Sequence, residues 1–359
     1  MQANYIKTYM TNNRILTYSE AILEAITQEM DNDESVFVLG QGVDDPKGTL
    51  GTTIDLHKKF GKSRSFDVPV AEEGILGVAI GAALAGLRPI NVHIRVDFLL
   101  VCMNQLINMA AKSHYMFGGS FNIPIVVRGS IGRSWGQGAQ HSQALHSFFM
   151  HTPGLKVVAP TFASDAKGAM IASIRDNNPV IFIEHRMLYS LKENVPIESY
   201  TREQGKARIV RKGVDVTIVA ISHMVVESLR ACIHLESIGI NAEVIDPIWL
   251  SPLDIESIVS SVRKTGYLLV VDNAWLTCGA SAEISMQVVQ KLQGTCKVHV
   301  DRLGFENTPC PTTKPLENIF YPSPSMIAAK VHKMLYSDRE SWSPPISESK
   351  EVANFKGPF

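Results

Sequence analysis

The run Phe66-Asp67-Val68-Pro69-Val70-Ala71-Glu72-Glu73-Gly74 leads into a segment of small residues from Gly77 to Gly86. Small and aliphatic residues alternate at helical spacing over 75–87, which predicts a closely packed helix entered through a tight turn from a strand. Glu72 stands at that junction. Poor solvation there disfavours a charged carboxylate and keeps a proton available for donation near neutral pH. Its neighbour Glu73 is the more ordinary acid of a first helical turn, favoured by the helix dipole.

Working outward from this junction, strands alternate with helices along almost the whole chain. Thr17-Tyr18-Ser19-Glu20 reads as a capping box, after which Ile22, Leu23, Ile26 and Met30 share a helical face. Val36–Leu39 is a short apolar run ending at Gly40, suited to a buried parallel strand, and 40–51 is the loop beyond it. Pro89 opens the strand 90–94, a helix is expected over 99–114, and 123–127 is a further strand. The helix 161–176 stops at Asp176-Asn177-Asn178-Pro179, because Pro179 cannot continue it, and 180–184 is the last strand of this half. A polar, irregular stretch follows around 190–207. Beyond it come strands at 216–221, 242–245, 267–272 and 298–300, with helices at 223–238, 253–263 and 280–292. Such alternation predicts parallel sheets joined by right-handed crossovers. The division expected is a first domain over 1–195, a linker over 196–205, a second domain over 206–336 and an extended tail over 337–359.

Composition narrows the class. The 359 residues suffice for two full cores, 45% are hydrophobic, and 34 basic against 35 acidic residues leave almost no net charge. That balance argues against nucleic-acid partners and against a disordered chain. No apolar run reaches the roughly 20 residues of a membrane span. The odd set Cys102, Cys232, Cys278, Cys296 and Cys310 contains no CxxC pair, so a reduced cytoplasm is expected and a zinc site is not. Gly40, Gly42 and the set Gly132, Gly136 and Gly138 fail to give the GxGxxG spacing of a nucleotide loop.

Two further runs complete the pattern. Asp97-Phe98 lies within 94–108, and Gly138-Ala139-Gln140-His141-Ser142-Gln143 precedes His151-Thr152-Pro153-Gly154. In this order and spacing the chain, from about Ile15 to about Leu335, resembles the beta subunit of the thiamine diphosphate-dependent decarboxylating component of 2-oxo acid dehydrogenase complexes, of the pyruvate and branched-chain type. The resemblance implies an α/β fold: an N-terminal pyrimidine-binding domain and a C-terminal transketolase-type domain with mostly parallel sheets. It implies that Glu72 is the acid on the aminopyrimidine nitrogen that favours the reactive imino tautomer. Phe98 would pack on the pyrimidine face, and the Val70 carbonyl would accept from the cofactor's amino group. His141 would act in the 2-oxo acid and lipoyl-transfer steps, consistent with an imidazole that changes protonation near pH 7. Ser142 and Gln143 would hold its loop, with Arg133 and Trp135 as candidate substrate contacts. His57, His146, His151 and His234 are expected to be structural or surface residues. Ser173, Asp176 and Asn178 coincide with a potassium site of the family, although a helix end with open carbonyls reads the same way.

One family element is missing. There is no GDG sequence to anchor magnesium and diphosphate. The resemblance therefore implies an alpha subunit that holds Mg²⁺, an α2β2 heterotetramer, and a lipoyl acyltransferase core as acceptor. Gln41 stands where many relatives carry Glu. The alternatives are a split transketolase-like enzyme that forms carbon–carbon bonds, and a noncatalytic assembly subunit.

Overall fold

The computed structural model describes residues 14–133, 136–336 and 342–347. The first half begins with β1 (Ile15–Thr17), α1 (Tyr18–Asn32), β2 (Val36–Gly40), α2 (Leu56–Phe60) and β3 (Ser65–Asp67). It continues through α3 (Glu72–Leu84), β4 (Arg88–His93), α4 (Ala111–Met116), β5 (Val126–Ile131), α5 (Gly138–His141) and α6 (His146–Met150). It closes with β6 (Lys156–Val158), α7 (Ala163–Arg175), β7 (Val180–His185) and β8 (Lys192–Asn194). The second half holds β9 (Arg208–Arg211), β10 (Val216–Ala220), α8 (His223–Glu236), β11 (Ala242–Asp246), β12 (Trp249–Ser251) and α9 (Ile255–Thr265). After these come β13 (Tyr267–Trp275), α10 (Ala280–Leu292), β14 (His299–Phe305), α11 (Lys314–Phe320) and α12 (Pro324–Leu335).

Among the described residues, a seven-stranded sheet runs in the order β12-β6-β7-β5-β4-β2-β3, parallel except at β12. A five-stranded sheet runs in the order β14-β13-β10-β11-β9, parallel except at β9. The α/β architecture with mostly parallel sheets therefore stands as expected. The capping box stands too: Thr17 Oγ1 accepts from the Glu20 N–H at 3.2 Å, and the Thr17 N–H donates to Glu20 Oε2 at 2.7 Å. One face of the large sheet is covered by α1 and α7, with Ile22, Ile26, Met30, Met170 and Ile174 meeting Val38, Ile90 and Phe182. The other face packs Leu76, Ile80, Leu99 and Leu106, and the same apolar cluster continues into Val219, Leu268, Val270 and Ile284 of the second half. The halves thus share one core, and β12 extends the first half's sheet from within the second half's sequence.

Three stretches depart from the sequence reading. The helix expected over 99–114 is broken into a tight turn at Val96–Cys102, a wide-turned segment at Gln105–Ala110 and α4. The first irregular piece contains Asp97 and Phe98 and the second follows it, and departures of this kind gather where a helix must re-aim side chains. Within the irregular 190–207, β8 pairs antiparallel with β1, Ile15 opposite Asn194. From the tail, 342–347 folds back on α12: Trp342 lies 5.4 Å from the His332 ring, and the Ser347 N–H donates to Ser325 Oγ at 3.1 Å. The rest of the tail lies outside the described residues, as does Trp135.

Candidate functional site

The residues singled out in the first half sit at the carboxyl ends of four adjacent strands, the edge at which open α/β sheets bind ligands. His141 follows β5, Asp97 and Phe98 follow β4, Gln41 follows β2 and Glu72 follows β3. Glycine makes the β2 end possible. Gly40 has φ of 154°, and a Cβ there would lie 2.2 Å from the Val92 oxygen.

Glu72 opens α3 and is only 7% exposed, whereas Glu73 is exposed and accepts from Gln105 Nε2 at 3.1 Å. Gln41 Nε2 donates to Glu72 Oε1 at 3.0 Å. Gln41 is itself held by its N–H on the Val92 oxygen, 3.2 Å, and by Thr49 Oγ1 on its own carbonyl, 3.0 Å. Two buried neighbours sense the carboxylate. Burial pushes the His93 imidazole down to about 4, against the pull of Glu72, and pushes the Cys102 thiol up to about 12, with the charge of Glu72 adding to it. His93 Nε2 is bonded to Asn91 Oδ1 at 2.7 Å.

The loop between β3 and α3 leaves Val70 82% exposed, and no backbone N–H of the described residues donates to its carbonyl. Phe98 and His141 meet edge to face, their ring centres 5.3 Å apart at 72°. Asp97 ties the two loops together. Its Oδ1 accepts from the Gln143 N–H at 3.1 Å, while its buried Oδ2 has no partner among the described residues. Burial raises the Asp97 carboxyl above the usual range, against hydrogen bonds from Gln143 and the nearby Arg95 charge. The neighbouring Ser142 is buried, and its carbonyl accepts from Cys310 Sγ at 3.5 Å.

Other candidates lie elsewhere. The Arg133 guanidinium sits 4.6 Å over the Tyr321 ring with Nη1 3.7 Å from Glu317 Oε2, so it reaches into the second half. His146 is fully buried, its Nε2 2.8 Å from Asp272 Oδ2 across the junction of the halves. At the turn after α7, Arg88 Nη1 donates to the Ile174 and Asp176 carbonyls, each at 3.0 Å. There Asp176 is bonded by Lys156 and Gln204, Asn178 donates its N–H to Asp176 at 2.8 Å, and Ser173 Oγ donates to Ala169. Arg88, Lys156 and Gln204 thus bond to groups of the turn that holds Ser173, Asp176 and Asn178. Among the described residues, no group of three or more His, Cys, Asp and Glu side chains could hold a metal.

Sequence reasoning missed the Gln41–Glu72 bond and the role of Asp97 as a tether. The first was open to discovery, since both residues follow neighbouring parallel strands; the second depends on a fold-back from position 143 to position 97 that no local pattern encodes.

The family described as transketolase, pyrimidine binding domain, matches residues 15–192, and transketolase, C-terminal domain, matches 205–327. The acetoin:2,6-dichlorophenolindophenol oxidoreductase subunit beta of Cupriavidus necator is 44% identical over 90% of this chain and 98% of its own. The pyruvate dehydrogenase E1 component subunit beta of Gracilaria tenuistipitata is 43% identical over 87% and 97%. This chain belongs to that family of beta subunits. The fold is shared more widely within the transketolase-like group: a split gene transketolase, solved as an inactive beta4 tetramer, superposes with a TM-score of 0.74 at 21% identity over 90% of this chain and 99% of that one. Among the described residues, no helix is long and apolar enough to cross a membrane.

Proposed function

We propose that this chain is the beta subunit of a thiamine diphosphate-dependent 2-oxo acid dehydrogenase, with Glu72 and His141 as its catalytic residues. The reading is carried by the alignment of His141, Phe98, Gln41 and Glu72 along one sheet edge in a chain that spans nearly the whole length of curated beta subunits. The residues fit the cofactor: a buried carboxyl group, a backbone carbonyl open at Val70, and a half-buried aromatic ring in contact with an imidazole.

When bound, thiamine diphosphate supplies the nucleophilic carbon and the electron sink for decarboxylation. Gln41 fixes Oε1 of Glu72, so Oε2 is the atom that holds the proton offered to the pyrimidine nitrogen. The Val70 carbonyl accepts from the amino group, and Phe98 orients the ring by its apolar face. His141, set by Phe98 and by the Asp97–Gln143 tether, binds the substrate carboxylate and moves a proton at its imidazole. An alpha subunit in an α2β2 assembly holds Mg²⁺ and the diphosphate, since magnesium needs oxygen ligands and phosphate together. Docking of the alpha chain is supported by Val70, Val78, Leu100, Val101 and Met109, large apolar residues exposed on the site side of the first half. The acyl group passes to a lipoyl acyltransferase core, in the cytoplasm.

The acetoin relative supports a second reading, cleavage of a neutral hydroxyketone, in which His141 acts on a hydroxyl or carbonyl group. The test is to co-express the chain with its alpha partner and to assay pyruvate, branched 2-oxo acids and acetoin with 2,6-dichlorophenolindophenol as acceptor. Glu72→Gln is expected to lower kcat by about 10²-fold or more with an unchanged melting temperature. Full activity in that variant removes the proposed role. The chain alone is expected to bind thiamine diphosphate and Mg²⁺ weakly or not at all in calorimetry.

A further inference from the structure

A cavity of about 110 Å³ lies at the junction of the two halves, lined among others by Arg133, His185, His223, Asn273 and Tyr321. It opens at the carboxyl ends of β7, β10 and β13, so it faces both sheets at once. In the smaller sheet β10 is central: the chain leaves it through α8 to β11 on one side and then returns to β13 on the other. That reversal is a topological switch point, where parallel sheets leave a crevice for ligands.

The polar groups around the cavity include one guanidinium, two imidazoles and the Asn273 amide, with Glu227 as the acid. The Met187 N–H donates to His185 Nδ1 at 3.2 Å, so the neutral ring carries its proton on Nε2. The Asn273 carboxamide meets Nε2 at 3.1 Å. With Nδ2 at that position two N–H donors would face each other, so hydrogen-bond logic selects the half-turned amide, its oxygen on Nε2 and its NH₂ group in the cavity. Asn273 is 6% exposed and its second polar atom has no partner among the described residues. A buried amide left so is destabilising unless something fills the site. The His185 ring is fixed from beneath: Gly132 has φ of 93°, and a Cβ there would lie 2.5 Å from His185 Cε1. His185 stacks on His223 with centres 4.7 Å apart.

His223 is the first residue of α8, a helix of 14 residues without a side-chain N-cap. Ser222 before it has φ of 54°, a conformation costly for a residue other than glycine and concentrated at functional sites. The Met224 and Val225 N–H groups turn back to the Ile221 and Ser222 carbonyls at 3.1 and 2.9 Å, so this helix start offers an anion its positive dipole end and not those two donors. Arg133 adds positive charge, tempered by Glu317 at 3.7 Å. The acid on the wall, Glu227, is bonded to Arg230 at 2.5 Å and lies 3.6 Å from His223 Nε2. The cavity admits a compact ion.

We propose that this interdomain cavity is a second binding site, for a compact oxyanion of the size of phosphate or a two- to three-carbon carboxylate, held by Asn273, Arg133 and the N-terminus of α8. The site stands independently of the cofactor reading, because its test needs neither cofactor nor turnover. Inorganic phosphate and acetate are titrated into the full chain at constant ionic strength, with calorimetry and the imidazole resonances of His185 and His223 as readouts. Saturable binding of one probe with a Kd of about 1 mM or below, moving those two resonances, is expected, and the tighter probe identifies the ligand's anionic group. Asn273→Asp, which sets a carboxylate in the cavity, and Asn273→Leu, which keeps the volume and removes the donors, are expected to weaken binding about tenfold. If neither variant folds, a saturable rise of the wild-type melting temperature with the same probe, together with the two histidine shifts, carries the test. No saturable binding, equal affinity in folded variants, or shifts at His141 without shifts at His185 and His223 overturns the proposal.

Discussion

Gln41 and Asp97 act on the candidate catalytic groups through single hydrogen bonds, and each can be tested alone. Gln41→Glu would set a second carboxylate where Nε2 now meets Glu72 Oε1 at 3.0 Å. Two carboxylates at that distance share a proton and release it at higher pH. The alkaline limb of the pH–activity profile of the assembled enzyme is therefore expected to move up by roughly one unit; an unmoved limb means that position 41 does not tune the acid. At Asp97 the tether to the Gln143 N–H can be kept or removed. Asp97→Asn keeps an acceptor and removes the charge, whereas Asp97→Ala removes both and leaves a buried N–H without its partner. Loss of one such bond corresponds to about tenfold in kcat/KM, so Ala should fall that far and Asn clearly less. Equal losses in the two variants would place the effect in packing and not in the placement of His141.

Helix α3 shows how much of one element is legible beforehand. Its buried face, Leu76, Ala79, Ile80 and Ala83, follows from apolar spacing, and its first residue follows from the strand-to-turn pattern before it. Its outer face carries Gly74, Gly77 and Gly81, where an added Cβ would meet nothing within 4 Å. Glycines inside a helix cost about 1 kcal/mol each relative to alanine, and among the described residues nothing packs against them. The proposed assembly with an alpha chain would use them for close packing. Gly81→Leu is accordingly expected to leave the isolated chain as stable or more so by thermal denaturation, and to weaken co-elution with the alpha partner at least about tenfold by loss of close packing; unchanged co-elution would move the interface elsewhere. The segment after β4 was less legible. Continuous apolarity over 99–114 reads as one helix, because periodicity carries no sign of the tight and wide turns that bring Phe98 onto His141. Those turns answer to a residue more than forty positions away. The strand-end sites could be read because parallel sheets place their ligands by topology, while Asn273 and His185 meet only once both halves are packed.

Across the whole molecule, polar groups buried between the halves make stability depend on pH. Asp165 of α7 is fully buried and paired with Arg208 of β9 at 2.5 Å and with Arg202 at 2.6 Å. Asp246, at the end of β11, is also fully buried and accepts from the Ile248 N–H at 2.9 Å. Burial, reinforced by the charge of Asp165, raises the Asp246 carboxyl to about 7, against the pull of Thr161, Ile248 and Arg208. In the unfolded chain an aspartate titrates near 3.9, so between about pH 4 and pH 7 the folded protein keeps a proton that the unfolded chain has released. Its contribution is full below pH 4, declines as pH rises and is lost above pH 7. Asp246→Asn fixes the neutral form and keeps an oxygen for the Ile248 N–H. The variant is therefore expected to match the wild type at pH 4, to pull ahead as pH rises, and to melt several degrees higher at pH 8, at roughly 2–4 °C per kcal/mol for domains of this size. Melting curves of both proteins across that range decide it: a constant difference, or one largest at low pH, would mean that Asp246 is ionised within the fold and that Arg208 answers both buried carboxylates at the junction.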